Sequence, residues 1–203
     1  VAGQTIDRQC SSGLMSIATA SKQVVIDKMD VVVAGGVESI SMVQTPELRV
    51  GADPALLALH RDIYMPMLDT AEVVAKRYEI SRARQDAYAL SSQQRTAAAQ
   101  TAGRFDDEII PVRTEKLVTD KTTGATSRES VTLGRDEGNR PDTTLEGLAA
   151  LKPVRPEGVI TAGNASQLSD GAAALVVLEA GRAAALGLAP LGRYCGMAVA
   201  GVE

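Results

Sequence analysis

Apolar and polar positions alternate from Val1 to Ile6, which predicts a short opening strand. Leu14, Ile17, Ala18, Val24 and Val25 then recur at helical spacing and predict a helix through Lys28. "DVVVAGG" is a β-branched run closed by Gly35 and Gly36, the pattern of a buried parallel strand reaching a tight turn. Strand, helix and strand in that length predict a βαβ unit. From Ser39 to Tyr64 the pattern breaks at Pro46, Gly51 and Pro54, leaving mostly loop with one short apolar helix, "PALLALH".

Two helices are predicted next. "DTAEVVAKRY" would be capped by Asp69 or Thr70, and "SRARQDAYALSSQQRTAAAQTAG" runs from Ser81 to Gly103, a suitable C′ residue. Val73, Val74, Tyr78, Tyr88 and Leu90 mark expected core positions. "DEIIPVRTE" reads as extended, and Val118 to Pro141, polar and rich in Thr, Gly and charge, as a surface hairpin or loop. "TTLEGLAAL" predicts a short helix stopped at Lys152-Pro153. "GAAALVVLE" is expected as a buried strand, "AGRAAALG" as a helix ending at Gly187, and "PLGRYCGMAVA" as another strand with Cys195 in the core. The organisation is βαβ, a long helical and irregular insertion, then βαβ again: an α/β chain. It opens on Val1 within a strand pattern and closes on "AVAGVE" without a terminal element, so a fragment is expected.

Composition narrows this picture. Of 203 residues 45% are apolar but only 2% aromatic, so a core must be built from Ala, Val, Leu and Ile. A net charge of −4 argues against a nucleic-acid binder driven by phosphate neutralisation. Two cysteines make no disulfide framework, and neither a signal peptide nor a long apolar span stands out. A reduced, soluble, cytoplasmic setting is the expectation.

The chemistry-bearing candidate is Cys10 in "TIDRQCSSGLMSIATA", at the junction of the alternating segment and the helix. There it would meet unpaired N–H groups and the positive end of the helix dipole, which favour the nucleophilic thiolate. Ser11, Ser12 and Gly13 are small enough to admit an acyl group, and the N–H of Cys10 could face an oxyanion. The alternative is a small buried hydrophobe, as free cysteine often is. A nucleophilic cysteine needs a base. The one histidine, His60, ends an apolar helix, where a dipole or solvent partner suffices, and nothing local ties it to Cys10. A second cluster, "ITAGNASQLSDGAAA", has Asn164, Ser166 and Asp170 able to cap helices or line a turn, with Gly163 and Gly171 allowing close backbone approach. Arg140 in its polar loop reads either as solvated or as an anion clamp.

Six strings in one order, "VAGQTIDRQCSSG", "VVVAGGVESIS", "DTAEVVAKRYEISRARQDAYALSSQQR", "GRFDDEIIPV", "DEGNRPDTTLEGLAALKPV" and "TAGNASQLSDGAAA", resemble the thiolases, the acetyl-CoA acyltransferases. "RPDTTLEGLAALKPV" is more similar to the degradative 3-ketoacyl-CoA branch than to the acetoacetyl-CoA biosynthetic one. The resemblance implies a thiolase fold, with a partial N-terminal βαβαβ domain (1–39 and 169–203) interrupted by an α-rich, CoA-binding loop domain (40–168). The family's "NEAF", "GHP" and "CxGGG" segments, with its activating histidine and second cysteine, would lie beyond this stretch. That makes the chain a middle fragment, expected to be inactive alone.

The resemblance also implies the roles. Cys10 would be acylated by a 3-ketoacyl-CoA, acetyl-CoA would leave, and a second CoA would collect the shortened acyl group. Ser166 matches a serine that contacts the pantetheine arm, Ala162 a neighbouring contact, Arg140 a residue near the nucleotide of CoA, and Met67 a methionine lining the pocket. Departures from the family pattern are Leu68-Asp69, Gln167, Ser169 and Gly147, the last where some members carry a CoA-binding serine. Coenzyme A is implied as a substrate, with no permanently bound cofactor and no metal. Acyl-CoA thioesters are the implied partners, with no nucleic acid, no membrane span, and a homodimer or homotetramer of the full-length protein. Two rival expectations are a non-catalytic thiolase-like protein that binds acyl-CoA or lipid, and a cysteine hydrolase using Cys10 with His60.

Overall fold

A computed structural model describes residues 1–43, 45–48 and 51–201. Gln44, Arg49 and Val50 of the expected 39–64 loop, and Val202 and Glu203 of the expected N-terminal domain, lie outside the described residues. The chain forms two compact units, Val1–Arg49 with Leu168–Glu203, and Val50–Gln167.

In the first unit, helix α1 (Ser12–Val25) packs on strand β1 (Val31–Glu38), a single turn α2 (Ile40–Val43) follows, and β1 pairs with β4 (Gly171–Leu178). The expected helix is present but ends three residues early. The β1–β4 ladder is antiparallel, running from Val31 opposite Leu178 to Glu38 opposite Gly171, rather than the parallel arrangement expected. Residues directly opposite share a face. Ala34, buried, marks the face turned to α1, which buries Ala18, Ala20, Ser21 and Val24. Val31, Val33, Val37 and Val176 occupy the other face and are exposed, Val37 to 81%. Thus β1 and β4 are covered on one side among the described residues, not buried on both.

Two expected strands are absent. Residues 1–8 and 189–201, which read as alternating in the sequence, carry no ladder among the described residues and are exposed almost throughout. A strand needs a neighbour for its backbone N–H and C=O groups, and alternation alone supplies none. Cys195 is accordingly exposed rather than core.

Asp170, just before β4, accepts hydrogen bonds from the Ser41 N–H (3.0 Å), the Ser41 hydroxyl and the Ser39 hydroxyl (3.4 Å). These bonds, the Ser41 hydroxyl first, hold its carboxyl below the ordinary aspartate range. Because the folded value is the lower one, the stabilisation is complete above the unfolded value, about 3.9, and disappears as pH falls through the folded value. Asp170→Asn is therefore expected to melt below the parent at neutral pH. The gap should close in strong acid, which paired thermal melts across pH would read.

The second unit is mainly helical. α4 (Met67–Arg77) starts behind Pro66, so Asp69 lies in its first turn and neither Asp69 nor Thr70 is the cap. Asp69 instead binds Arg155 through two bonds of 2.6 and 3.1 Å. α5 (Arg82–Thr101) is capped by Ser81, whose hydroxyl accepts from the Arg84 N–H, and its C′ residue Gly103 has φ +64. Val73, Val74, Tyr78 and Tyr88 are exposed, contrary to the expected core stripe. The buried positions on these helices are Ala75 and Asp86, so hydrogen bonding organises much of this interior. β2 (Val112–Thr119) and β3 (Thr126–Leu133) form an antiparallel hairpin that starts earlier than the predicted one. Asp120 closes its turn by accepting from the N–H groups of Thr122 and Thr123. α6 (Leu145–Ala149) is capped by Thr144 and buries Leu148.

Candidate active site

The turn that carries Cys10 is short and tightly hydrogen-bonded. Gln9 has φ +52, in the left-handed region, and opens a single 3₁₀ turn, Gln9–Ser11, that runs directly into α1. Asp7 accepts from the Gln9 N–H (2.9 Å), and Ser12 Oγ accepts from the Arg8 N–H while donating to the Gln9 carbonyl, both at 2.7 Å. Ser11 Oγ donates to the Arg8 carbonyl (2.8 Å). The polar neighbours of Cys10 thus satisfy the backbone around it and leave its thiol exposed. Among the described residues the Cys10 N–H has no acceptor. A strand was expected before the thiol; residues 1–8 form an irregular lead-in instead. Chemically, the turn offers an accessible sulfur and a free amide donor at the entrance to a helix.

Met67, Arg140, Ala162 and Ser166 all belong to the Val50–Gln167 unit, whereas Cys10 belongs to the other. Met67 is the first residue of α4 and is exposed. The backbone beside Arg140 is anchored on α5. Gln93 Oε1 accepts from the Arg140 N–H (2.8 Å) and the Asn139 amide (2.9 Å), leaving the guanidinium exposed and outside any ion pair among the described residues. Ala162 and Ser166 sit at the exposed ends of one turn, closed by bonds from the N–H groups of Asn164 (3.3 Å) and Ala165 (3.0 Å) to the Thr161 carbonyl. Asn164 lines that turn, its Oδ1 accepting from the Thr161 N–H (2.8 Å).

Glu72 was not singled out from the sequence. Its carboxylate accepts from the N–H groups of Val159 and Ile160 at 3.0–3.1 Å and ties α4 to the segment leading into this turn. An open cleft of about 550 Å³ lies beside it, lined by Asp69, Lys76, Glu79 and Arg155, but by none of the four candidate residues. His60 follows α3 (Pro54–Leu59) as its C-cap, exposed, with its N–H bonded to the Leu56 carbonyl (2.8 Å). Among the described residues no cluster of His, Cys, Asp and Glu could hold a metal ion, and no helix is long and apolar enough to cross a membrane.

The site thus consists of an exposed thiol on a helix-entry turn in a mixed α/β unit, whose chain is interrupted by a largely helical one. The description "Thiolase, N-terminal domain" matches residues 1–181, and the chain belongs to the thiolase family. It is 42% identical over 199 residues to the 3-ketoacyl-CoA thiolase of Bacillus subtilis, covering 98% of this chain and 51% of that protein. Among crystal structures, the dimeric peroxisomal thiolase of Saccharomyces cerevisiae superposes with a TM-score of 0.76 at 33% identity, over 93% of this chain and 46% of that one. The human mitochondrial 3-ketoacyl-CoA thiolase in complex with CoA superposes with a TM-score of 0.69 at 34% identity, over 90% and 46%. The chain is therefore thiolase-fold α/β, and it spans about half the length of the relatives it matches.

One expectation is overturned here. A cytoplasmic setting was inferred from cysteine usage and the lack of a targeting segment, yet matched proteins are named for the peroxisome and the mitochondrion. Two free thiols distinguish a reducing interior from an oxidising one but not one reducing compartment from another.

Proposed function

We propose that the full-length protein is an acetyl-CoA acyltransferase that cleaves 3-ketoacyl-CoA thiolytically, the closing step of fatty-acid β-oxidation. The observation that carries this reading is the exposed Cys10 thiol, beside its own N–H that has no acceptor among the described residues, in a chain of the thiolase family. The Cys10 thiolate attacks the 3-keto carbon, and the resulting oxyanion is held in part by the Cys10 N–H. Collapse breaks the C2–C3 bond, leaves the shortened acyl group on sulfur as a thioester, and releases acetyl-CoA once its α-carbon takes up a proton. A second CoA then loses its thiol proton, attacks the thioester and departs with the acyl group, regenerating Cys10. The reverse sequence is the condensation.

Ser166 and Ala162 contact the pantetheine arm in this reading, Arg140 meets the anionic nucleotide end, and Met67 lines the pocket. Their exposure suits contact with a ligand, and a matched structure is described as a complex with CoA. Residues 1–39 and 169–203 contribute to the catalytic domain and 40–168 to the CoA-binding insertion. A homodimer or homotetramer belongs to the same proposal, supported by a matched thiolase described as dimeric.

The test supplies the full-length protein with a 3-ketoacyl-CoA and CoA. Formation of acetyl-CoA with a shortened acyl-CoA, and an acyl mass on the Cys10 peptide when CoA is withheld, are the expected results. Cleavage without that adduct would overturn the mechanism.

A further inference from the structure

Asp86 is a carboxylate in the second turn of α5 that is only 4% exposed, and no step above uses it. Its two oxygens face different partners. Oδ2 accepts from Arg82 Nε (2.7 Å), one turn earlier on the same helix, and Oδ1 accepts from the Asn164 amide (3.0 Å). Asn164 holds the turn from inside: the same amide donates to the Val159 carbonyl (3.1 Å) and Oδ1 accepts from the Thr161 N–H (2.8 Å). Thr161 is fully buried, and its Oγ accepts from the Gly163 N–H (3.2 Å). Arg82 carries the connection to α6 by donating to the carbonyls of Leu148 and Leu151. One buried side chain therefore fastens the helix to the segment that presents Ala162 and Ser166.

We propose that Asp86 is a positioning residue for CoA, acting through Asn164 to fix where the 161–166 turn presents Ser166. This rests on the reading that Ser166 meets the pantetheine arm. Ala162 and Ser166 are themselves exposed, and among the described residues Ser166 Oγ reaches its neighbour's carbonyl alone, at 3.3 Å. The turn is therefore held from its interior: Glu72 fixes the segment leading into it, and Asn164, fastened by Asp86, fixes the turn itself. A buried network whose members are all satisfied is rigid, and satisfying only part of it releases the position it defines.

Asp86→Asn is the informative change. It is isosteric but offers one oxygen in place of two, so its NH₂ must point at Arg82 or at Asn164, both of which are donors. One of the two fastenings breaks without opening a cavity. In the full-length enzyme KM for CoA is expected to rise about tenfold with kcat little changed, the mark of lost uniform binding rather than lost chemistry. A role confined to folding would instead lower the active fraction, and hence apparent kcat, at unchanged KM. In a Ser166→Ala background the same change should raise KM less than twofold, because residues acting through one contact are not additive. Should Asp86→Asn fail to fold, Arg82→Lys keeps a cation opposite Asp86 and should give a smaller KM rise with the same dependence on Ser166.

An unchanged KM in a folded variant, or factors that simply multiply in the double variant, would overturn the proposal while leaving the thiolase reading intact. A Ser166→Ala enzyme with parental KM would instead remove Ser166 from the CoA site and take this proposal with it.

Discussion

Cys10→Ser in the full-length protein is expected to abolish the acyl-enzyme and lower thiolysis by about 10⁴-fold or more, equivalent to about 5.5 kcal/mol of lost barrier reduction. The substitution keeps the size of the side chain and the N–H behind it. It replaces a thiol, readily ionised and intrinsically nucleophilic, by a hydroxyl that is neither without a strong base. Any residual rate would reflect binding and the remaining oxyanion donors alone. Incubation with a labelled 3-ketoacyl-CoA followed by peptide mass analysis reads the result; label persisting at position 10, or elsewhere with undiminished turnover, would remove Cys10 from its role. His60→Ala provides the contrast and is expected to leave kcat/KM within about twofold, since capping a short helix with its backbone asks nothing of the imidazole. A large loss there would favour the cysteine hydrolase.

Leu148→Ala is expected to cost the full-length protein about 2–5 kcal/mol, the range for removing a buried leucine whose surroundings cannot close the gap. Leu148 is 4% exposed and fills the space left by the missing side chain of Gly163: a Cβ built there would lie 2.5 Å from both Leu148 Cδ2 and Leu151 Cδ1. The backbone on both sides is pinned, at α6 by the Arg82 guanidinium and at the turn by Asn164, so collapse into the cavity is restricted. Denaturant titration measures the loss, with faster amide exchange expected in α6 and around residues 160–165. Leu148→Met, close in volume, should cost less than about 1.5 kcal/mol. Equal stability of the two variants would show that the site repacks freely.

Local signals made much of this legible. Apolar spacing marked α1, and Ser81 with Gly103 bracketed α5. The Thr- and Gly-rich stretch after Val118 read as a hairpin or a loop, and the position of Cys10 between two patterns announced a junction. What eluded the sequence depends on residues far apart in the chain. The pairing of β1 joins residues more than a hundred positions away, and no feature of "DVVVAGG" states the direction of its partner. Tyr78 and Tyr88 read as core beside their apolar neighbours, yet α4 turns inward through Ala75 and α5 through Asp86. A hint was available in the i, i+4 spacing of Arg82 and Asp86, which allows a charge pair on one helix face. Its second half, Asn164, lies 78 residues later and could be found only in three dimensions. The four CoA-site candidates were reached through family resemblance, because none of them carries a chemical signature of its own.

The left-handed backbone at Gln9 has a further consequence. A non-glycine residue there costs on the order of 1 kcal/mol or more, and four side-chain bonds made by Asp7, Ser11 and Ser12 keep the chain in place. Glycine at position 9 would relieve that cost and also free the adjoining sulfur to sweep a wider arc. Durability and aim are thus set against each other at a single residue, and the native choice favours aim.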